Sequence, residues 1–322
     1  MKKILIPLAA AILAGCACND CWKRGDPKDP VIGNWGLELG YDAMKAGHMI
    51  ASRDANGNPQ ALVLWRWASP IPMKDFKIEG NNFSFVHPWG DKKVEGSVCC
   101  GTLKATMFKK DGSIETSIKG WRNPPIAAAS TDDAKLGEPI DLLKDGLSGW
   151  EQLETNGKFG WSFKDGVLSN KLGVKEDGSW VGGGVNLRTK RDDFYDFNLE
   201  YDVRVPKGSN SGVYLRGRYE CQVVDSYGKK DDFIHNMGAY YGRVAPSVQA
   251  EKAPGEWQHV NVTLYKRHIT VILNGVKIID NAPVVGITGG AVDANEFVPG
   301  FIYLQGDHSD ADYKNMILRP CL

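Results

Sequence analysis

Two short segments hold side chains able to bind and transform a polyhydroxylated ligand: Gly212-Val213-Tyr214-Leu215-Arg216 and Tyr219-Glu220-Cys221-Gln222-Val223-Val224. Side chains alternate across a β-strand. In the first segment Tyr214 and Arg216 therefore share one face and Val213 and Leu215 the other. In the second, Glu220 and Gln222 lie opposite Cys221 and Val223. Each strand thus has one apolar face and one face of hydrogen-bonding groups. If the polar faces coincide, one sheet surface gathers Arg, Glu, Gln and an aromatic ring, a set that binds sugar hydroxyls and stacks on the sugar ring. The alternative is a solvent-facing sheet with an incidental ion pair. Gly217-Arg218 separates the strands, and the sequence does not decide between the two.

Other polar residues extend the candidate set. Asn210 stands in the Gly-flanked turn Gly208-Ser209-Asn210-Ser211-Gly212, where it could bind ligand or set the turn. Asp225 ends the second strand and could cap the Asp225-Ser226 turn. Gln305 and His308 follow a strand from Phe301 to Gln305. His235 reads as a cleft-rim residue, Trp180 and Tyr241 as stacking platforms or core. His48, His87, His259 and His268 read as structural.

These segments need a β framework to position them, and the chain supplies one. Of 322 residues, 37 are Gly, and long helical periodicity is almost absent. Apolar-polar alternation recurs in short bursts bounded by Gly, Asn and Asp, the pattern of an all-β protein. Residues 31–122 read as a small antiparallel barrel or sandwich with strands Gly36–Gly40, Ala46–Ser52, Leu62–Trp67, Asp75–Glu79, Asn82–His87, Val94–Cys99, Thr102–Lys109 and Ser113–Trp121. Asp111-Gly112 between Phe108 and Ile114 is a strong hairpin signal. Trp65-Arg66-Trp67 on one strand would put two Trp rings on one face, as core or as an auxiliary sugar-contacting surface. Residues 123–139 read as a linker, stiffened by Pro124-Pro125, and a second run of strands fills 140–322.

The first residues concern export. Met1-Lys2-Lys3 precedes an apolar run, Ile4 to Ala14, too short to span a bilayer. It ends in Leu13-Ala14-Gly15-Cys16, which resembles a bacterial lipobox. On this reading residues 1–15 are a signal peptide, Cys16 carries lipid, and 16–30 form a tether. Ala17, where an Asp would retain an enterobacterial lipoprotein at the inner membrane, points to the outer membrane. The membrane is then met only through the anchor, in the cell envelope. An exported chain can form disulfides, but the seven cysteines do not fix a pairing and their spacing is not that of a metal framework. Lys+Arg and Asp+Glu both total 39, so nothing suggests a nucleic-acid partner. No GxSxG elbow, P-loop, HExxH or strand-linked GxGxxG occurs, so no nucleotide cofactor is expected.

Several landmarks in the second half come in a recognisable order: Leu147-Ser148-Gly149-Trp150, Asn210-Ser211-Gly212-Val213-Tyr214-Leu215-Arg216-Gly217, Tyr219-Glu220-Cys221-Gln222-Val223-Val224-Asp225-Ser226, Gly255-Glu256-Trp257 and Leu304-Gln305-Gly306-Asp307-His308. Together they resemble the 3-keto-disaccharide hydrolase family over roughly 140–322. The resemblance implies a concanavalin/glucanase-like jelly-roll β-sandwich. The smaller N-terminal β domain is similar to one that precedes the sandwich in some members. Near the end, Asp312-Tyr313-Lys314-Asn315 replaces the family's usual Phe-Arg-Asn, which puts an Arg contact there in doubt.

The family's activity implies an oligosaccharide or glycoside substrate already oxidised at C3, and so a partner sugar 3-oxidase. A C3 ketone acidifies the hydrogen on C2. A base removes it, the C1 oxygen leaves by β-elimination, and water can add at C1 for net hydrolysis. Glu220, Asp225 or His308 would be the base. Arg216, Gln222 and Asn210 would hold the keto oxygen and hydroxyls, with Tyr214 and Gln305 as further binding residues. Glu220, Asp225 and His308 would also serve as ligands if a divalent cation binds. Two other readings compete. One is a non-catalytic carbohydrate-binding lipoprotein. The other is a retaining β-glucanase, disfavoured because Val205 stands where Glu200-x-Asp202 should be followed by a second Glu.

Overall fold

The computed structural model describes residues 25–322. The signal segment, Cys16 and most of the tether lie outside the described residues. Among the described residues no helix is long and apolar enough to cross a membrane. The fold is all-β, with three short 3₁₀ turns between the strands of the described residues.

Residues 33–122 form one nine-stranded antiparallel sheet. Its spatial order is Trp67–Pro72, Pro59–Trp65, Ala46–Arg53, Gly33–Leu39, Ile114–Arg122, Thr102–Phe108, Lys92–Cys99, Asn82–His87 and Lys74–Glu79. The first and last strands of that order are neighbours in sequence, separated by Met73 alone. The sheet therefore curls until both edges belong to one bent strand, which makes a barrel. Period-2 burial builds its interior: Leu103, Ala105 and Met107 point inward from one strand, Phe83 and Phe85 from another. The expected hairpin forms, with Phe108 opposite Ile114 and the Asp111 carboxylate accepting from Ser113 N–H.

The expected strand Leu62–Trp67 is broken. Arg66 and Ala68 both have positive φ, 69° and 59°, so the chain turns a corner there and starts a new strand at Trp67. The two tryptophans separate: Trp65 is buried in the barrel and Trp67 is 49% exposed.

The second half is a jelly-roll β-sandwich. Its larger sheet runs Trp161–Lys164, Val167–Asn170, Ala311–Pro320, Phe197–Arg204, Gln258–Tyr265, His268–Leu273 and Val276–Pro283, with Ile140–Asp141 pairing beside Ala311–Pro320. Its smaller sheet runs Trp150–Gln152, Leu187–Thr189, Tyr303–Leu304, Asn210–Leu215 and Tyr219–Val224. Leu199, Tyr201 and Val203 from the first sheet meet Val213, Leu215, Cys221 and Val223 from the second in one core. Ala46 and Leu64 of the barrel join that core, so the barrel packs directly onto the sandwich.

Further contacts fasten the two. Asn123, just after the last barrel strand, donates its Nδ2 to Glu296 Oε1 at 2.7 Å. Glu296 is fully buried, where it also accepts from the Tyr219 hydroxyl and lies 3.6 Å from Arg267. Ser69 Oγ and His235 Nε2 lie 2.5 Å apart, and His235 Nδ1 meets Asp232 Oδ1. Ser69 packs against Gly242 and does not line the pocket described below. The Asp232–His235–Ser69 line is thus a fastening between the two halves.

Candidate active site

The outer face of the smaller sheet holds the polar groups that its inner face excludes. Tyr214 and Glu220 stand directly opposite each other on adjacent strands. Both line a pocket of about 360 Å³, as do Asn210, Gln305 and His308. The two polar strand faces therefore do coincide.

Glu220 is 3% exposed, and its Oε2 lies 2.8 Å from the Tyr214 hydroxyl. That hydroxyl is also 2.8 Å from the Gly289 carbonyl. A tyrosine has one proton and cannot donate to both. A protonated Glu220 resolves the conflict by donating to the tyrosine oxygen while the tyrosine donates to Gly289. The electrostatics agree: burial, with Asp307 nearby, pushes the Glu220 carboxyl up to about 8. Gly212 makes room for it, because a Cβ there would stand 2.3 Å from Glu220 Oε1.

Tyr303 stacks on Tyr214 with centroids 3.9 Å apart and donates to Gly290 O. Gly289 and Gly290 thread between these rings and the barrel corner. Gly290 N–H donates to Arg66 O, and a Cβ on Gly289 would lie 2.3 Å from Ala68 O. Burial drives both tyrosine hydroxyls well above their ordinary pKa, so they remain donors.

His308 is half-exposed and pairs its Nδ1 with Asp307 Oδ1 at 2.6 Å. This bond raises the imidazole pKa and fixes which ring nitrogen faces away from the carboxylate. The side-chain oxygens of Asn210 and Gln305 are buried and accept no hydrogen bond from the protein. Buried acceptors are seldom left unpaired, so a ligand with hydroxyl donors would complete them.

Three expected site residues fall elsewhere. Arg216 was expected beside Tyr214, but its φ of 57° ends the strand at Leu215. Its side chain is buried, donating to the Glu296 and Val298 carbonyls and stacking at 4.3 Å on Tyr195. Gln222 shares Glu220's face but is buried outside the pocket lining, with its Oε1 accepting from Val223 N–H. Asp225 is a turn cap: its carboxylate accepts from Gly208 N–H and Tyr227 N–H. Glu220, Asp225 and His308 therefore do not gather as a ligand trio. Among the described residues no three His, Cys, Asp or Glu side chains are placed to hold a metal ion.

Other residues join the site. Tyr241 lines it and packs at 4.9 Å on the His235 ring. Trp180 instead donates to Gly208 O outside the lining. Asn186, whose amide is held by Glu154 and Gly306, was missed because Gly184-Val185-Asn186-Leu187 carries no recognisable motif. Met44 and Trp67 of the barrel form a wall no reading of the second half alone could supply. Glu200 and Asp202 lie in the larger sheet, with Asp202 engaged by His259 and Asn315, remote from any glucanase-like arrangement in the pocket. The departure at Asp312-Tyr313 is accommodated locally: Asp312 pairs with Lys171 and Arg204, and the Tyr313 and Ser211 hydroxyls meet at 2.7 Å.

Residues 139–319, more than half of the chain, match the family described as the 3-keto-alpha-glucoside-1,2-lyase-like domain. No curated protein matches the chain. Among solved structures, a candidate glycosyl hydrolase from Parabacteroides distasonis is 25% identical, with 62% of this chain and 93% of that chain covered and a TM-score of 0.45. The carbohydrate-binding module CBM66 from Bacillus subtilis is 16% identical, covering 53% of this chain and 95% of its own, with a TM-score of 0.32. LamAcat from Zobellia galactanivorans is 10% identical over 60% of this chain and 100% of its own, with a TM-score of 0.36.

Proposed function

Because the chain belongs to the 3-keto-alpha-glucoside-1,2-lyase-like family, and so to glycoside chemistry, we propose that its pocket cleaves 3-keto-glucosides by elimination across C1–C2. One observation carries the reading: a buried carboxyl that keeps its proton near neutrality, Glu220, and a carboxylate-held imidazole, His308, line the same pocket.

The division of labour follows from those environments. Neutral His308, oriented by Asp307, removes the C2 proton. The C–H electrons become a C2–C3 double bond and charge moves onto the C3 oxygen. On binding, Glu220 turns its one proton from the Tyr214 oxygen to the C3 oxygen, and the Tyr214 hydroxyl turns from Gly289 to donate to Glu220 Oε2, the use to which a carboxylic acid kept neutral by burial is suited. When the enolate collapses, the C1–O bond breaks and the imidazolium returns its proton to the departing oxygen. Water adding at C1 completes net hydrolysis. Asn210 and Gln305 accept from sugar hydroxyls. No pair of carboxylates at glycosidase spacing is required.

The substrate must come from a reaction that oxidises a glucoside at C3, and a sugar 3-oxidase would act upstream. The N-terminal lipobox supports an envelope lipoprotein held by Cys16. The test is to incubate the purified protein with a 3-keto-α-glucoside and with the same glucoside unoxidised. Cleavage of the first alone, lost in Glu220→Gln and His308→Ala, is the expected result. Saturable binding of both sugars without turnover would replace this reading with a carbohydrate-binding lipoprotein.

A further inference from the structure

Trp67 is shared between the pocket above and a second hollow of about 180 Å³ on the barrel. Trp65, Trp67 and Trp89 line that hollow, with Arg66, Lys92 and Glu115 adding polar groups. Trp67 and Trp89 are 49% and 46% exposed, unusual for side chains whose burial would otherwise stabilise the fold. Their rings are held in place. Trp89 meets His87 edge-on at 5.5 Å, and His87 meets buried Trp65 at 5.3 Å. The Arg66 guanidinium lies between the Tyr41 ring, at 4.4 Å, and the Trp67 ring, at 4.0 Å.

The polar groups of this hollow are already engaged within the protein. The Glu115 carboxylate accepts from Lys92 Nζ at 2.6 Å and from the Tyr41 hydroxyl at 3.2 Å. The Arg66 side chain is spent on the Met44 and Ala43 carbonyls. Lys92 and Glu115 offset each other, and the Arg66 guanidinium keeps its charge but is held by carbonyls and stacked on two rings, so the hollow has no free carboxylate for a cation and no extended arginine for an anion. Half-exposed indole rings beside polar groups already engaged suit a neutral, polyhydroxylated ring with one apolar face.

We propose that this barrel end is a second glycosyl subsite, continuous with the pocket through Trp67. It receives a sugar unit of the aglycone beyond the bond that is cut. The proposal rests on the sugar-cleaving reading of the pocket and narrows it: the preferred substrates are 3-keto-oligosaccharides rather than simple 3-keto-glucosides. The corner that Arg66 and Ala68 impose is what turns Trp67 out of the barrel and into this position.

The experiment compares a methyl 3-keto-α-glucoside with a gluco-trisaccharide oxidised at C3 of its terminal unit, using the full chain, Trp89→Ala and Trp89→Phe. Trp89→Ala should lower kcat/KM on the trisaccharide about tenfold, mainly through KM, and leave the methyl glycoside unchanged; Trp89→Phe should recover most of the loss. Equal kcat/KM for wild type and Trp89→Ala on the trisaccharide, or an equal fall on both substrates, overturns the subsite. If wild type cleaves neither compound, the activity reading fails by itself. Tryptophan fluorescence titrated with unoxidised trisaccharide then decides the subsite: saturable quenching lost in Trp89→Ala supports it, and its absence in wild type overturns it.

Discussion

A Cβ on Gly212 would stand 2.3 Å from Glu220 Oε1, on the neighbouring strand. Gly212, inside the strand Asn210–Leu215, is thus the space in which the carboxyl sits. Gly212→Ala should displace Glu220 from Tyr214 while the two strands still pair. The expected outcome is a loss of about a hundredfold in kcat on a 3-keto-glucoside with an unchanged far-ultraviolet circular dichroism spectrum. Full activity would mean that the carboxyl's position is immaterial.

The two ionisations predict a bell-shaped pH dependence. Activity rises as His308 loses its proton, above the ordinary imidazole value because Asp307 raises it. It falls as Glu220 ionises near 8. In Glu220→Gln the alkaline limb should vanish and the residual rate drop by about 10²–10⁴-fold. Asp307→Asn should move the acid limb to lower pH. An unaltered profile in both variants would remove these residues from the chemistry.

Stability carries the same signature. Glu220 binds its proton far above the ordinary value of 4.5. Between about 4.5 and 8 the folded chain keeps a proton that the unfolded chain releases. Folding therefore weakens as pH rises through that window. Glu220→Gln removes the penalty, so its Tm advantage over wild type should grow by on the order of several degrees between pH 5 and pH 9. Calorimetry at the two pH values measures it.

Asn210 and Gln305 hold buried amide oxygens without protein partners. Removing an unpaired buried acceptor does not cost the fold a hydrogen bond. Asn210→Ala and Gln305→Ala should therefore keep or raise Tm while each lowers kcat/KM by roughly tenfold, about the worth of one hydrogen bond. A fall in Tm with unchanged kinetics would make them structural.

The proposed lipid anchor has its own test. Cys16→Ser should leave the chain unprocessed and unlabelled by radioactive palmitate, whereas the natural chain should label and fractionate with membranes. Equal labelling would place the acyl group elsewhere or exclude it.

What could be read in the sequence was whatever depends on alternation. Val213 and Leu215 against Tyr214, and Cys221 and Val223 against Glu220, sort to core and pocket as a pleated strand requires. Failures began where the backbone leaves that pattern. The positive φ of Arg216 turns its guanidinium into the interior, and the corner at Arg66 splits two tryptophans that alternation would pair. Asp225 could be read as base or cap, and only the proximity of the Gly208 and Tyr227 amides decides. Met44 and Asn186, and the link between Trp67 and this pocket, were hidden for another reason. Their place in the pocket comes from how the barrel docks and where loops cross, which no local pattern records.

The Asn123–Glu296 bond also bears on how a substrate comes and goes. Asn123 follows the barrel's last strand immediately, and its partner is wholly enclosed in the other half. A hinge at this joint would have to pull an amide away from a sequestered carboxyl and bare Ala46 and Leu64 to water at the same moment. Traffic should therefore pass through the standing opening of the pocket, which Trp67 and His308 help to line. Turnover would then be insensitive to solvent viscosity beyond simple diffusion, in contrast to an enzyme that must swing open to release its products.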